Sequence, residues 1–212
     1  MSASLVGSEM CIRDRKYTKK SKTAVQTRKV TTTIQTTTTV MAASATAGKA
    51  NAASTKKVES INMDSKYSVS NIASIAPKMD SRVLKAYKKL GFTVTIDPSV
   101  NYGGCFNAHS RSIILRFENE TIYHELGHFL AFVAGNVDRT SDFAAVYNSE
   151  KSKFTGINRS YATQNSSEYF AESVLEYVTS PSTLKRQRPK TYAAIVAALN
   201  KITDERLSLI HI

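Results

Sequence analysis

The segment NETIYHELGHFLAFVAG, residues 119–135, constrains this chain more than any other. It holds two of the four histidines, four residues apart, with Glu125 between them. Ile122, Leu126, Phe129, Leu130 and Phe132 recur at helical spacing, so the run predicts a helix opened by Asn119 and stopped by Gly135. On a helix, positions i and i+4 share one face with Cβ atoms about 5–6 Å apart, which brings His124 and His128 within reach of one ion. Glu125 is turned about 100° from His124 and does not compete as a ligand. It is placed to take a proton from a water at that ion, and zinc lowers the pKa of such a water to about 7. This is the H-E-x-x-H arrangement. The pattern fixes only three residues, and the competing reading is a core helix with two satisfied histidines. Gly127 costs about 1 kcal/mol against Ala inside a helix, so it predicts a closely approaching neighbour.

Two histidines need a third ligand, and SYATQNSSEYFAESVLEY, residues 160–177, supplies a candidate. Glu168 and Glu172 are again i and i+4 on one predicted helix. Asn165 to Glu168 also reads as a capping box, and Glu172 as a plain surface carboxylate. Tyr169, Phe170, Ala171, Val174 and Leu175 surround them too densely for a solvated face.

HELGH, SYATQNSSEYFAES and RPKTYAAIVAAL together resemble the catalytic domain of anthrax lethal factor and the small secreted Pro-Pro endopeptidases, over about residues 58–203. Those are zinc peptidases of the gluzincin type, with a zincin-like fold. The resemblance implies one Zn2+ ion held by His124, His128 and Glu168, with Glu125 as general base. It makes Glu172 the carboxylate that holds a ligand imidazole in one tautomer. It makes Tyr161 the hydroxyl donor to the developing oxyanion, against the plainer reading of a packed aromatic. It also implies that an edge strand beside the histidine helix pairs with an extended protein or peptide substrate. GGCFNAHS or SIILRF would supply that strand, with Gly103 and Gly104 allowing close approach.

The remaining chain is organised around these segments. DSRVLKAYKKLGF predicts a helix capped by Asp80 or Ser81 and stopped by Gly91. FTVTID predicts a strand, and residues 104–108 with 112–117 a hairpin whose turn exposes His109. Residues 136–160 read as a polar loop with one short helix near 141–149. Helices are expected at 166–178, after Pro181, and from Pro189 onward. Helix, then strands, then helices predicts an α+β fold: a small twisted sheet, an active-site helix and C-terminal helices.

Composition bears on the ends. Residues 1–55 hold nine Lys and Arg against two acids, while 56–212 hold twenty against fifteen, so the net charge of +12 is concentrated at the N-terminus. That excess reads as a solvated basic tail, and no nucleic-acid partner is expected. Residues 1–15 and 207–212 look like translated adapter sequence, foreign to the protein, so Cys11 and His211 are set aside. Cys105 is then a lone thiol, read as a small strand residue. Residues 16–55 are either a signal peptide, cleaved near Ala50–Ala52, or a Thr-rich linker. Residues 56–206 form the expected folded domain. No apolar run of about 18 residues is present, so no membrane span is expected. The expectation is a secreted, monomeric zinc endopeptidase acting on extracellular or surface proteins around proline. The alternative is a zincin-like docking module without catalysis.

Overall fold

The computed structural model describes residues 65–210 together with the backbone of residues 9–11. The choice between signal peptide and linker, and the expected start of the fold near residue 58, lie outside the described residues. The described chain runs β1 (Glu9–Cys11), β2 (Tyr67–Val69), α1 (Ile72–Ile75), α2 (Ser81–Lys89), β3 (Thr93–Ile96), β4 (Gly104–Asn107) and β5 (Ser112–Leu115). It continues through α3 (Thr121–Val133), α4 (Ser141–Glu150), α5 (Arg159–Ala162), α6 (Ser166–Thr179), α7 (Pro181–Gln187), α8 (Pro189–Asn200) and α9 (Asp204–Ser208). The order is that of an α+β fold.

The strands form one sheet in the order β1-β4-β5-β3-β2. The expected hairpin is present: β4 and β5 pair antiparallel, with Gly104 opposite Leu115. β3 lies parallel to β5, so the chain crosses over between Ile96 and Gly104 rather than continuing a meander. β1 is antiparallel to β4 and covers its outer edge. Alternation selects the inner face, where Val94, Ile96, Phe106, Ile113 and Leu115 are buried. Against it lie α2 and α3, joined to the sheet by an aromatic cluster in which Phe92 meets Tyr87, Phe106 and Phe129 at 5.0–5.8 Å between centroids. That cluster fixes the distance of α3 from β4.

Local signals account for most helix ends. Asp80 accepts from the Arg82 N–H and caps α2. Gly91 and Gly135 follow α2 and α3 at positive φ, where a Cβ is disfavoured. Asn119 accepts from the Thr121 N–H but stands one residue before the cap position, which Glu120 fills. Pro181 and Pro189 open α7 and α8.

Two expectations need correction. Residues 136–160 are not mainly loop: a 3-10 turn at Val137–Arg139, α4 and a second 3-10 turn at Lys151–Lys153 occupy most of the segment. Its Phe143 and Phe154 are buried, Phe143 edge-on to Phe170 at 5.1 Å, so the segment is part of the core. The apolar period of α4 is weak because its buried positions are Phe143 and the carboxylate Glu150. Cys105 is not a lone thiol but disulfide-bonded, and Cys11 stands opposite it in the β1–β4 ladder. At the other end, Leu207, the first residue of the tail read as foreign, is buried.

Candidate metal centre

Helices α3 and α6 pack along each other, and Gly127 is the reason they pack so closely. A Cβ built there would stand 2.7 Å from the Ala171 Cα and 2.9 Å from its carbonyl oxygen. The two backbones therefore touch at Gly127 and Ala171. This is the close neighbour that a glycine inside an apolar helix predicts. The contact lies beside His124 and His128 on one helix and Glu168 and Glu172 on the other.

All four side chains are buried, His124 completely. His124 Nε2 lies 3.1 Å from His128 Nε2 and 3.2 Å from Glu168 Oε2; His128 Nε2 lies 3.7 Å from Glu168 Oε2. These three residues are the metal-capable cluster found among the described residues. Four zinc ligands at about 2.0–2.1 Å stand about 3.3–3.4 Å apart at tetrahedral corners. The three measured edges bracket that length, and the donor set of two imidazoles and one carboxylate suits zinc, so the residues fit the ion.

Glu172 faces the other nitrogen of the first imidazole: its Oε2 lies 2.8 Å from His124 Nδ1. A proton on Nδ1 donated to Glu172 leaves the Nε2 lone pair directed at the ligand triangle. The electrostatics agree. Burial opposes a charge on His124, but Glu168 and Glu172 outweigh it and push its pKa up to about 10. Burial also lowers His128, which stays neutral. Burial raises Glu168, and its contacts with both imidazoles override that and hold its carboxyl well below the usual range. A buried group of carboxylates demands a compensating cation. Without a metal, protonation of His124 is the compensation that its raised pKa favours.

The capping-box reading of Glu168 is half realised. Asn165 accepts from the Glu168 N–H at 2.8 Å, while the Glu168 carboxylate turns to the histidines. The cap thus fixes the backbone from which the carboxylate reaches the cluster. Glu125 is fully buried and lies against β4, on the side of α3 facing the sheet: a Cβ on Gly104 would come within 3.0 Å of its Cδ. The space beside Gly104 is therefore taken by Glu125. Gly103 is half-buried, and its carbonyl accepts from the Arg116 N–H at 3.1 Å. His109 is exposed in the turn.

Tyr161 comes from α5, a four-residue helix entered through Asn158 at positive φ. Its ring centroid is 6.2 Å from that of His124. The hydroxyl is buried and geometrically makes no hydrogen bond among the described residues. Burial first, and the nearby Glu168 carboxylate second, push its pKa far up, so it remains a proton donor. Two contacts hold α5 in place: the Tyr147 hydroxyl donates to the Thr163 carbonyl at 2.6 Å, and Arg159 donates to the Ser152 carbonyl at 2.8 Å. Sequence reasoning missed both. It also missed Asp138, buried beside Ser167, which donates to it, and close enough to His128 to favour its charged form. One acid in a polar stretch gave no periodic signal.

Comparison with known proteins found one family model and a similar solved structure. The family model described as anthrax toxin lethal factor, N- and C-terminal domain, matches residues 107–197, a span that contains His124, Glu125, His128, Tyr161, Glu168 and Glu172. Gly103 and Gly104 lie before it. The solved structure of the Pro-Pro endopeptidase PPEP-2 from Paenibacillus alvei is similar at 21% identity and a TM-score of 0.48, covering 60% of this chain and 88% of that one. No curated protein matches. Over residues 107–197 the chain resembles anthrax lethal factor.

Proposed function

We propose that the chain is a zinc-dependent endopeptidase that hydrolyses an extended peptide at the His124–His128–Glu168 centre. The observation that carries this reading is the ligand triangle, three buried donors from two helices at the edge lengths of a zinc tetrahedron. Zinc held by His124, His128 and Glu168 would supply a Lewis acid and would lower the pKa of the attacking water to about 7. Glu172 orients His124. Glu125 takes the proton of the attacking water and returns it to the leaving nitrogen. The Tyr161 hydroxyl donates to the carbonyl oxygen as negative charge develops there. Such a donor contributes about 3–4 kcal/mol to the transition state.

The substrate backbone pairs with the outer edge of β4, the edge on which residues 9–11 lie. In this structure β1 occupies that edge, so a peptide would be held there by main-chain hydrogen bonds once residues 9–11 are displaced. Among the described residues no helix is long and apolar enough to cross a membrane. The finer reading is a monomer, exported, with residues 56–206 as its native domain between foreign ends. It acts on extracellular or surface proteins around proline, Pro-Pro in particular. The sequence resemblance alone supports these last points.

The test joins metal content to peptide-library cleavage read by mass spectrometry, with and without chelator. One zinc per chain and cleavage abolished by chelator are expected, and Glu125→Gln should keep the zinc and lose turnover. A metal-free protein with no cleavage would leave the docking module as the better reading.

A further inference from the structure

Gly104 stands in an ordinary extended strand, not at positive φ, so its backbone does not require glycine. A glycine inside a strand weakens it, since it adds chain entropy to the unfolded state and brings no side chain to pack. The position is buried, where a larger apolar residue would ordinarily stabilise the sheet. What excludes one is α3. A Cβ at Gly104 would press on the Glu125 carboxylate, coming within 3.0 Å of its Cδ, and on the Thr121 Cγ2 at 2.9 Å. Thr121 and Glu125 are i and i+4 on the face of α3 turned toward β4. Glu125 is fully buried and has no solvent to retreat into.

We propose that Gly104 is a positioning residue whose missing side chain seats the Glu125 carboxylate between α3 and the edge strand. The inference rests on the peptidase reading for its consequence, but the contact itself is independent of it. The same strand that pairs with the substrate backbone then sets where the base stands. The glycine acts on the enzyme's own carboxylate rather than on the approach of the peptide. Alanine at this position moves the base without touching a metal ligand.

The experiment compares wild type with Gly104→Ala, alone and combined with Glu125→Ala or Thr121→Ser, in the zinc-loaded full chain. Gly104→Ala is expected to retain one zinc and a KM within about twofold, while kcat falls about 100-fold, the usual effect of a misplacement near 1 Å. Its loss of melting temperature is expected to shrink in the Glu125→Ala background, as coupling between touching residues requires. Should Gly104→Ala fail to fold, recovery of folding in the double variant with Glu125→Ala supports the contact, and no recovery overturns it. Full turnover in Gly104→Ala overturns the proposal, as does loss of zinc with turnover. A thermal loss relieved only by Thr121→Ser also overturns it, because the glycine then serves helix packing. If wild type cleaves no peptide, the peptidase reading fails, and the stability comparison still decides whether Gly104 seats Glu125.

Discussion

Replacing Gly127 by alanine measures how firmly the two ligand-bearing helices are pressed together. Helix propensity alone favours the change by about 1 kcal/mol. Against this, the new Cβ meets Ala171 Cα at 2.7 Å, its carbonyl oxygen at 2.9 Å and Val174 Cβ at 3.1 Å. Ordinary contact begins at 3.4 Å, so α6 must withdraw by about 0.7 Å, and overpacking of that kind typically costs about 1–3 kcal/mol. The obstacle is backbone, which cannot rotate aside as a side chain does, so the cost belongs at the upper end and the net loss is about 2 kcal/mol. For a domain of this size that lowers the melting temperature by about 4–8 °C. Glu168 moves with α6, and its oxygen already lies 3.2 and 3.7 Å from the imidazole nitrogens. Widening those edges takes them outside a zinc tetrahedron, and affinity should fall at least about tenfold, as it does for lesser disturbances around ligands. Thermal melts with and without zinc, with chelator-competition titration, read both effects. A Gly127→Ala protein that melts higher and binds zinc as wild type does would refute the reasoning.

Further outcomes follow from the same geometry. Tyr161→Phe removes a buried hydroxyl that makes no hydrogen bond among the described residues, so melting should change little while kcat falls about 100- to 1000-fold; a lower melting point with turnover intact would make Tyr161 a packing residue. Glu172→Gln, at the carboxylate 2.8 Å from His124 Nδ1, should weaken zinc binding about 10- to 100-fold, as read by competition with a chelator. In the metal-free protein the carboxylates push His124 up to about 10 against burial, and zinc must displace that proton. Below that pKa each unit rise in pH should tighten zinc binding about tenfold, with about one proton released per ion. Calorimetry in buffers of different ionisation enthalpy tests this, and pH-independent binding would contradict it. The same shift stabilises the metal-free fold fully below the ordinary histidine value of about 6.5, a contribution lost as pH rises through about 10. The lowered Glu168 acts oppositely: its contribution is present above the usual carboxyl range and is lost as acid protonates it. Melting of the chelated protein across pH should therefore fall at both extremes.

Spacing along the chain was enough to determine the helices and what each presents on one face. His124 with His128, and Glu168 with Glu172, are local facts of a 3.6-residue period; the stops at Gly91 and Gly135 and the hairpin of β4 and β5 are local too, set by turn residues and two-residue alternation. Gly127 announced a close neighbour because a helix interior has no other use for a glycine. The elements that left no trace were those without a period of their own. α5 is one turn long and is held by the Tyr147 and Arg159 contacts to distant carbonyls. The parallel pairing of β3 with β5 joins segments that the local pattern cannot relate. Tertiary structure alone decided that the Glu168 carboxylate turns from its own helix cap to His124 and His128 on a distant helix. It alone decided, too, that Glu125 lies against Gly104. The reason is physical: periodicity reports which side of an element is buried, while the partner it meets is chosen by packing between elements, through contacts as small as a missing Cβ.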